Sequence, residues 1–186
     1  MTHKKLIFLA LLIAQAVVLG LLENLLPTPF AFAPTIKLGL TNIVTLISLF
    51  TLTKKETVFV ITARLLLVTL LGGTVSMLLY STIGAFLSFL AMSLMQLLGP
   101  ARVTVLGVSG LGGFMHNFGQ LLVAAWIAQS PAVLLTLPLL GFAGILAGSG
   151  IGLLVRILLR HLNKLSLPLK ANTAWIEKKA SSEPFR

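Results

Sequence analysis

The sequence predicts an all-α integral membrane protein with six transmembrane helices. Hydrophobic residues make up 57% of its 186 residues, charged residues make up only 10%, and the mean hydropathy is +1.04. Soluble domains are seldom this apolar. A helix needs roughly 20 apolar residues to cross a bilayer, so the length accommodates about six spans with short loops. We therefore expect one membrane domain over residues 1–160 and a basic cytoplasmic tail over residues 161–186.

Apolar runs separated by polar, glycine or proline residues define the spans in order. The first run follows Lys4 and Lys5 and resembles a signal peptide, but no small-residue cleavage site follows it and more spans come after it. Lys54, Lys55 and Glu56 separate the second and third runs. The predicted spans cover residues 6–26, 35–53, 57–71, 74–98, 105–128 and 131–159.

The basic residues lie almost entirely on one side of these spans. With the N-terminus inside, the outer side holds only Lys37, and Arg64 lies within span 3. The remaining 12 of the 14 basic residues lie inside: Lys4, Lys5, Lys54, Lys55, Arg102, Arg156, Arg160, Lys164, Lys170, Lys178, Lys179 and Arg186. This asymmetry follows the positive-inside rule and predicts that both termini lie in the cytoplasm. The membrane that we expect is the plasma membrane of a bacterium. It also explains the net charge of +10 without nucleic-acid binding.

The composition argues against catalysis. There is no cysteine and no aspartate, and the four acidic residues are Glu23, Glu56, Glu177 and Glu183. Magnesium–diphosphate enzymes and carboxylate-pair hydrolases need clustered carboxylates. There is also no Walker A or HExxH motif. We therefore expect a protein that is not an enzyme and that has no metal and no cofactor of its own.

The segment over residues 23–42 is more polar and more rigid than a simple connector between spans needs to be. Its three prolines at positions 27, 29 and 34 stiffen the backbone. Glu23, Asn24, Lys37, Thr41 and Asn42 lie around the outer ends of spans 1 and 2. We expect a shaped re-entry loop that helps to build a polar pocket at the outer face.

Arg64 has apolar neighbours on both sides, and a charge at this depth costs several kcal/mol unless it is paired or faces water. A functional site is therefore the first hypothesis, and an arginine that snorkels to the inner surface is the alternative. Glu23 pairs with Lys37 or Arg64 in a structural interpretation. In a functional one, Lys37 and Arg64 hold an anionic group of a ligand. The sequence leaves both open.

Span 5 carries His116, Asn117 and Gln120 beside Gly112 and Gly113. The spacings i, i+4, i+8 and i, i+4, i+7 favour one side of a helix. These polar residues either bond neighbouring helices or form a pocket wall. A metal site is not expected, because no second histidine or carboxylate has ligand spacing here.

Small residues recur on two spans. Ala10 and Ala14 form a small-xxx-small pair on span 1, which is a candidate docking face for a partner. Four glycines of span 6 repeat at i+3, i+4 and i+4, which predicts close packing against another helix. They are Gly141, Gly144, Gly148 and Gly152.

Two motifs together resemble a known family. The first is Glu23-Asn24 with the three prolines, the run Lys37 to Leu40, and Asn42; the second is Gly113 to Gln120 with His116-Asn117. They resemble the Gx transporter family, also described as heptaprenyl diphosphate synthase component I. That family is similar to the substrate-binding S components of energy-coupling-factor (ECF) vitamin importers. The resemblance covers nearly all six spans and excludes the basic tail.

The resemblance implies a six-helix S-component bundle whose ligand pocket opens outward. Span 1 would dock through Ala10 and Ala14 onto a membrane coupling subunit driven by two ATPases, all separate chains. The ligand would be a small cofactor, vitamin or precursor. The residues expected to bind it or support the site are Glu23, Asn24, Lys37, Asn42, Arg64, His116, Asn117 and Gln120.

Two other functions stay open. The chain is a non-catalytic membrane partner of a polyprenyl diphosphate synthase in the first alternative, since it lacks the aspartates that such an enzyme needs for magnesium diphosphate. In the second, weaker one, it is a self-sufficient transporter or channel.

Overall fold

A computed structural model describes residues 3–25, 39–162 and Trp175. Within these ranges the chain forms six α-helices and one 3-10 helix and no strand, which confirms the predicted all-α class. The helices are α1 His3–Leu25, α2 Asn42–Thr51, α3 Lys54–Gly72, α4 Val75–Leu97, α5 Val105–Ile127 and α6 Leu137–Leu162, and the 3-10 helix Pro131–Thr136 precedes α6.

Within the part of the chain that the structure describes, three helical segments are long and apolar enough to cross a membrane: His3–Leu25, Val75–Leu97 and Pro131–His161. They indicate a multi-pass membrane protein. The described part of α2 has 10 residues. At 1.5 Å per residue this is about 15 Å, roughly half of a hydrocarbon core. The first part of predicted span 2 lies outside the described residues.

Threonine side chains set the starts of three consecutive helices. Thr53, Thr74 and Thr104 are the N-cap residues of α3, α4 and α5, and each hydroxyl accepts a hydrogen bond from a backbone N–H one turn further on. Glu56 completes a capping box with Thr53. These bonds satisfy amides that a helix start leaves without a partner, so they explain why the helices begin at these residues.

Helices α1 and α3 run parallel, and charged residues join their starts. Lys5 Nζ lies 2.6 Å from Glu56 Oε1. Partial burial raises the pKa of the Glu56 carboxyl, but hydrogen bonds from Lys5 and Thr53 outweigh it and lower the pKa from its usual value. Towards the helix ends, Gly20 packs on Val68, where a Cβ atom on the glycine would lie only 2.7 Å from Val68 Cγ2.

Helix α5 is the central helix, since α4 and α6 both pack antiparallel along its length. Each glycine of the span 6 series contacts α5: Gly141 meets Phe114, Gly144 meets Gly113, Gly148 meets Ser109 and Gly152 meets Leu106. The predicted close packing of this series is confirmed, and its partner is α5.

The main apolar core lies at the end of the bundle where α1 and α3 start. It includes Leu46 and Phe50 of α2, Met92 of α4 and Leu159 of α6. The Trp175 indole packs edge-on against Phe50 with the ring centroids 5.3 Å apart. The other residues of the predicted tail beyond Leu162 lie outside the described ranges.

Candidate functional site

A small polar cavity lies at the other end of the bundle, where α1 and α3 end. Its volume is about 30 Å³. The C-terminal turn of α1, the turn before α2, the second half of α3, the start of α4 and the middle of α5 all contribute walls. The polar side chains that line it, among the residues described, belong to Glu23, Asn24, Thr41, Arg64, Thr69, Ser81 and His116.

Arg64 is the buried cation of this cavity. Only 4% of the residue is exposed, and its Nε and Nη2 atoms have no hydrogen-bond partner among the described residues. Glu23 is close enough to attract it electrostatically, yet no contact of ion-pair length joins the two described side chains. Because the cavity lies at the end opposite to Lys5 and Glu56, this geometry favours a buried site over snorkelling to the inner surface.

Glu23 connects the end of α1 to the turn before α2. Its Oε1 atom accepts hydrogen bonds from the backbone N–H groups of Gly39, at 2.5 Å, and Leu40, at 3.1 Å. Gly39 has a φ of +78°, a conformation that glycine adopts without the steric penalty of a side chain. The carboxylate therefore holds the entry to α2 against α1. A Glu23–Lys37 pair is not described, because Lys37 lies outside the described residues.

The imidazole of His116 lies between two glycines. A Cβ atom on Gly39 would lie 3.0 Å from His116 Cδ2, and one on Gly84 would lie 3.1 Å from Cε1. On α5 itself, Gln120 Nε2 is 2.9 Å from His116 Nε2. An amide nitrogen only donates, so this contact is a hydrogen bond in the tautomer whose Nε2 atom accepts. The glycines thus let the ring reach the cavity wall.

Asn117 faces a different helix. Its Nδ2 atom donates to the Leu140 carbonyl oxygen of α6 at 2.7 Å, and it packs against Gly144. The residue beside it, His116, faces α4 and the cavity, because successive residues on a helix point about 100° apart. The two predicted series on span 5 therefore face two neighbouring helices and do not form one common wall.

The remaining predicted residues lie around the cavity or away from it. Gln120 and Asn42 are buried near the cavity, beside His116 and Gly39 respectively. Asn24 is part of the cavity wall. Ala10 and Ala14 are exposed on the side of α1 that points away from the other helices. Their docking role stays a prediction, as does ligand binding by every residue of the proposed site.

Sequence reasoning missed two hydroxyl residues of the cavity wall, Thr69 and Ser81. The Thr69 hydroxyl donates to the Leu65 carbonyl oxygen, a local bond that is common in helices. On α4, Ser81 comes three residues before Gly84 and Ser88 comes four residues after it. This helical spacing of small and polar residues could have indicated that Ser81 faces another helix. Within the ranges the structure describes, no three His, Asp or Glu residues cluster as metal ligands do.

Comparison with protein families identifies a relationship over most of the chain. A family model described as heptaprenyl diphosphate synthase component I matches residues 12–158. The match spans more than half of the chain and includes every cavity residue named above. Comparison with curated proteins and with solved structures finds no match.

Proposed function

The chain belongs to the heptaprenyl diphosphate synthase component I family, and from this premise we propose that it is the substrate-binding membrane component of an ECF-type importer. In this proposal it captures a small cofactor, vitamin or precursor from outside. It then docks on a separate coupling subunit that two ATPases drive.

The observation that carries the proposal is the polar cavity around Arg64. A buried arginine is costly in a membrane protein, and such residues commonly mark substrate pathways. Here the cation lies together with Glu23, Asn24 and His116 at one end of the molecule. A purely structural scaffold has no evident need for this concentration of buried polar groups.

The volume of the cavity indicates which step of transport the described conformation represents. A volume of about 30 Å³ holds roughly two water molecules. Sites for drug-sized ligands have volumes of about 300–1,000 Å³. Binding of a whole cofactor therefore requires the cavity to open, and the proposal assigns the present geometry to the closed, unliganded form.

The turn at residues 39–41 is the element that we propose to move. It carries Thr41 and lies against His116, and the carboxylate of Glu23 holds it to α1. Among the described residues, two hydrogen bonds from the Gly39 and Leu40 N–H groups to Glu23 join this turn to α1, whereas glycine-mediated backbone contacts join α5 and α6 along their length. Opening at the turn thus breaks fewer interactions than separation of α5 from α6.

In this proposal the chain is not a catalyst. Of its four glutamates, Glu23 is bonded to the turn before α2, and Glu56 is bonded to Lys5 and to the start of α3. Glu177 and Glu183 lie outside the described residues. A prenyl diphosphate synthase needs clustered carboxylates for its magnesium ions, and Glu23 and Glu56 lie at opposite ends of the bundle.

The first test is purification of the tagged protein from native membranes in a mild detergent, followed by mass spectrometry of the retained proteins and small molecules. The importer proposal expects two ATPases and a coupling subunit. The double variant Ala10→Leu, Ala14→Leu should lose these partners, because larger side chains prevent close helix approach. The matched control Ala128→Leu, Ala132→Leu enlarges two other exposed alanines and should retain them. Absence of ATPases from every sample would contradict the proposal.

A second candidate function follows from the name of the family, which describes a synthase component, and from the positions of exposed basic residues. The chain is then a non-catalytic membrane partner of a polyprenyl diphosphate synthase. Lys54, Lys55 and Arg102 are exposed near the turns that join α2 to α3 and α4 to α5, where a soluble partner with an acidic surface has access. Recovery of a prenyl synthase without ATPases in the same experiment would favour this function.

A further inference from the structure

The guanidinium of Arg64 has unused hydrogen-bonding capacity. An arginine presents five N–H donors in a planar fork that fits carboxylate and phosphate groups. In Arg64, both Nε and Nη2 are buried and have no partner among the described residues, and the side chain lines the cavity. Buried donors without partners are costly, so the Arg64 guanidinium can bind an acceptor that enters the cavity.

A second set of anion-binding donors lies at the turn before α2. The backbone N–H groups of Gly39 and Leu40 converge on a single oxygen atom. Gly39 is in the left-handed conformation, and α2 begins three residues later at Asn42. Consecutive amides in such a turn form a concave anion site, and the adjacent N-terminus of a helix adds positive potential.

The oxygen that these amides bind belongs to Glu23. This carboxylate also attracts Arg64, although the two groups make no contact of ion-pair length. A carboxylate of the chain itself therefore occupies the position that suits an oxyanion from outside, and it leaves Arg64 only partly neutralised.

We infer that the cavity is an oxyanion site in which a carboxylate or phosphate group binds the Arg64 guanidinium and displaces the Glu23 carboxylate from the Gly39 and Leu40 amides. The cavity of about 30 Å³ is too small for a larger body unless it opens, and displacement of the Glu23 carboxylate is the opening step in this inference. Arg64 binds the anion, and Glu23 is a positioning residue that keeps the turn closed until the anion arrives. This inference deepens the proposed function, on which it rests for the transport of the ligand.

Titration of purified protein with inorganic phosphate, in neutral detergent and at constant ionic strength set with chloride, tests the site. The apparent Kd is read from the saturable rise in melting temperature. Arg64→Gln should lose this rise, whereas Lys55→Gln, which removes an exposed charge at the opposite end, should keep it. Arg64→Lys keeps the charge without the planar fork and should bind phosphate more weakly than wild type.

The variant Glu23→Gln provides an independent test of the same site. A glutamine oxygen still accepts the Gly39 and Leu40 N–H bonds, so the turn is expected to stay folded, but the competing negative charge is gone. Phosphate should bind about tenfold tighter than to wild type, since like charges oppose each other at a binding site. Equal or weaker phosphate binding by Glu23→Gln overturns the inference, and so does undiminished binding by Arg64→Gln. If the Arg64 variants fail to fold, the Glu23→Gln arm decides alone.

The anionic group can come from a soluble molecule or from a lipid headgroup, and reconstitution distinguishes the two sources. Protein is placed in bilayers of phosphatidylcholine alone or of phosphatidylcholine with phosphatidylglycerol. Weaker phosphate binding in the phosphatidylglycerol bilayer assigns the site to a headgroup, and equal binding assigns it to a soluble anion. No phosphate binding in detergent and no Arg64-dependent stabilisation by phosphatidylglycerol would overturn the inference.

The inference and the proposed function fail in different experiments. If phosphate binding depends on Arg64 and Glu23 but no ATPase copurifies, the oxyanion site stands and the importer does not. If ATPases copurify but phosphate does not bind, the importer stands and its ligand enters without an anionic group at Arg64.

Discussion

At the scale of single residues, position 39 favours glycine for two separate reasons. Its positive φ is unfavourable for any residue with a Cβ atom. A Cβ atom there would also lie 3.0 Å from both His116 Cδ2 and Asn42 Nδ2. Gly99 has almost the same φ, +77°, but has nothing within 4 Å of the position of a Cβ atom. A comparison of the two glycines therefore distinguishes the cost of backbone strain, present at both, from the cost of crowding, present only at Gly39.

We predict that Gly39→Ala destabilises the protein more than Gly99→Ala does. The backbone strain should cost about 1–2 kcal/mol at either position, and crowding against His116 adds to it only at Gly39. Unfolding in mixed micelles of neutral and denaturing detergent measures both variants. Equal loss of stability would show that His116 and Asn42 move aside without cost.

Asn117 illustrates why a polar residue in a membrane helix is not by itself a ligand contact. It is next to a residue of the cavity wall, yet its amide bonds α6. Its position in the sequence does not reveal this, since the direction of a side chain depends on which helix packs on which face.

Asn117→Ala should lower the free energy of unfolding by about 0.6 kcal/mol, the average for hydrogen bonds between membrane helices, and by no more than about 1.7 kcal/mol. Phosphate binding should stay unchanged in the titration described above, because the amide faces α6. Loss of phosphate binding with unchanged stability would instead place Asn117 in the site.

At the scale of helices, the contact between α5 and α6 depends on glycine. A Cβ atom on Gly113 would overlap the backbone of Gly144, which cannot rotate away as a side chain does. Gly150 is on α6 as well, but a Cβ atom there would meet nothing within 4 Å. The close approach gives the two helices van der Waals contact along their lengths, which is a main source of helix association in membranes.

The pair Gly113→Ala and Gly150→Ala should change stability in opposite directions. Overpacking at Gly113 should cost about 1–3 kcal/mol or more. At Gly150 the added methyl group improves helix propensity and should stabilise the protein by about 0.5–1 kcal/mol. The same unfolding assay measures both, and a neutral Gly113→Ala would mean that α5 and α6 separate without loss.

Trp175 packs against α2. Only 8% of this residue is exposed, and it belongs to the same core cluster as Phe50 and Leu159. The chain has one other tryptophan, Trp126, which is 66% exposed. The two residues thus form a natural pair for comparison.

Trp175→Ala should destabilise the protein by about 3–5 kcal/mol, the usual cost of emptying a buried tryptophan position. Trp126→Ala should change stability by less than about 1 kcal/mol, because surface substitutions rarely do more. Fluorescence of the two remaining single-tryptophan proteins gives a second measure, since a soluble quencher should reach Trp126 more readily than Trp175. Equal stability losses would contradict the packed position of Trp175.

At the scale of the whole molecule, the largest apolar cluster and the Arg64 cavity lie towards opposite ends. The apolar core and the Lys5–Glu56 ion pair lie at one end, and the Arg64 cavity lies at the other. The positive-inside rule predicts that the end with Lys5, Lys54 and Lys55 faces the cytoplasm. The cavity would then face outward.

The absence of native cysteine allows a direct test of this topology. Single cysteines replace exposed residues at alternate connections: Lys55→Cys and Arg102→Cys at the predicted inner side, Val75→Cys and Ala132→Cys at the outer. An impermeant thiol reagent should label only the outer pair in intact cells and all four after lysis. Labelling of Lys55→Cys in intact cells would reverse the predicted orientation.

Much of the architecture follows from the sequence because it depends on local rules. The apolar runs predict the helices, and the threonines at positions 53, 74 and 104 lie where the helices begin. The glycine series of α6 predicts a close contact, since small residues have this effect in any membrane helix. The basic residues predict an orientation, because that bias depends on their position relative to the spans.

The cavity does not follow from such rules, because its walls come from five separate segments of the chain. Only the tertiary structure decides that Arg64 has donors without partners, that Glu23 bonds the turn at Gly39 and that His116 faces the cavity while Asn117 faces α6. The sequence alone determines an apolar, all-α chain with a few buried polar residues. Which of these residues meet depends on how the helices pack and rotate against one another, and spacing along one helix cannot specify that.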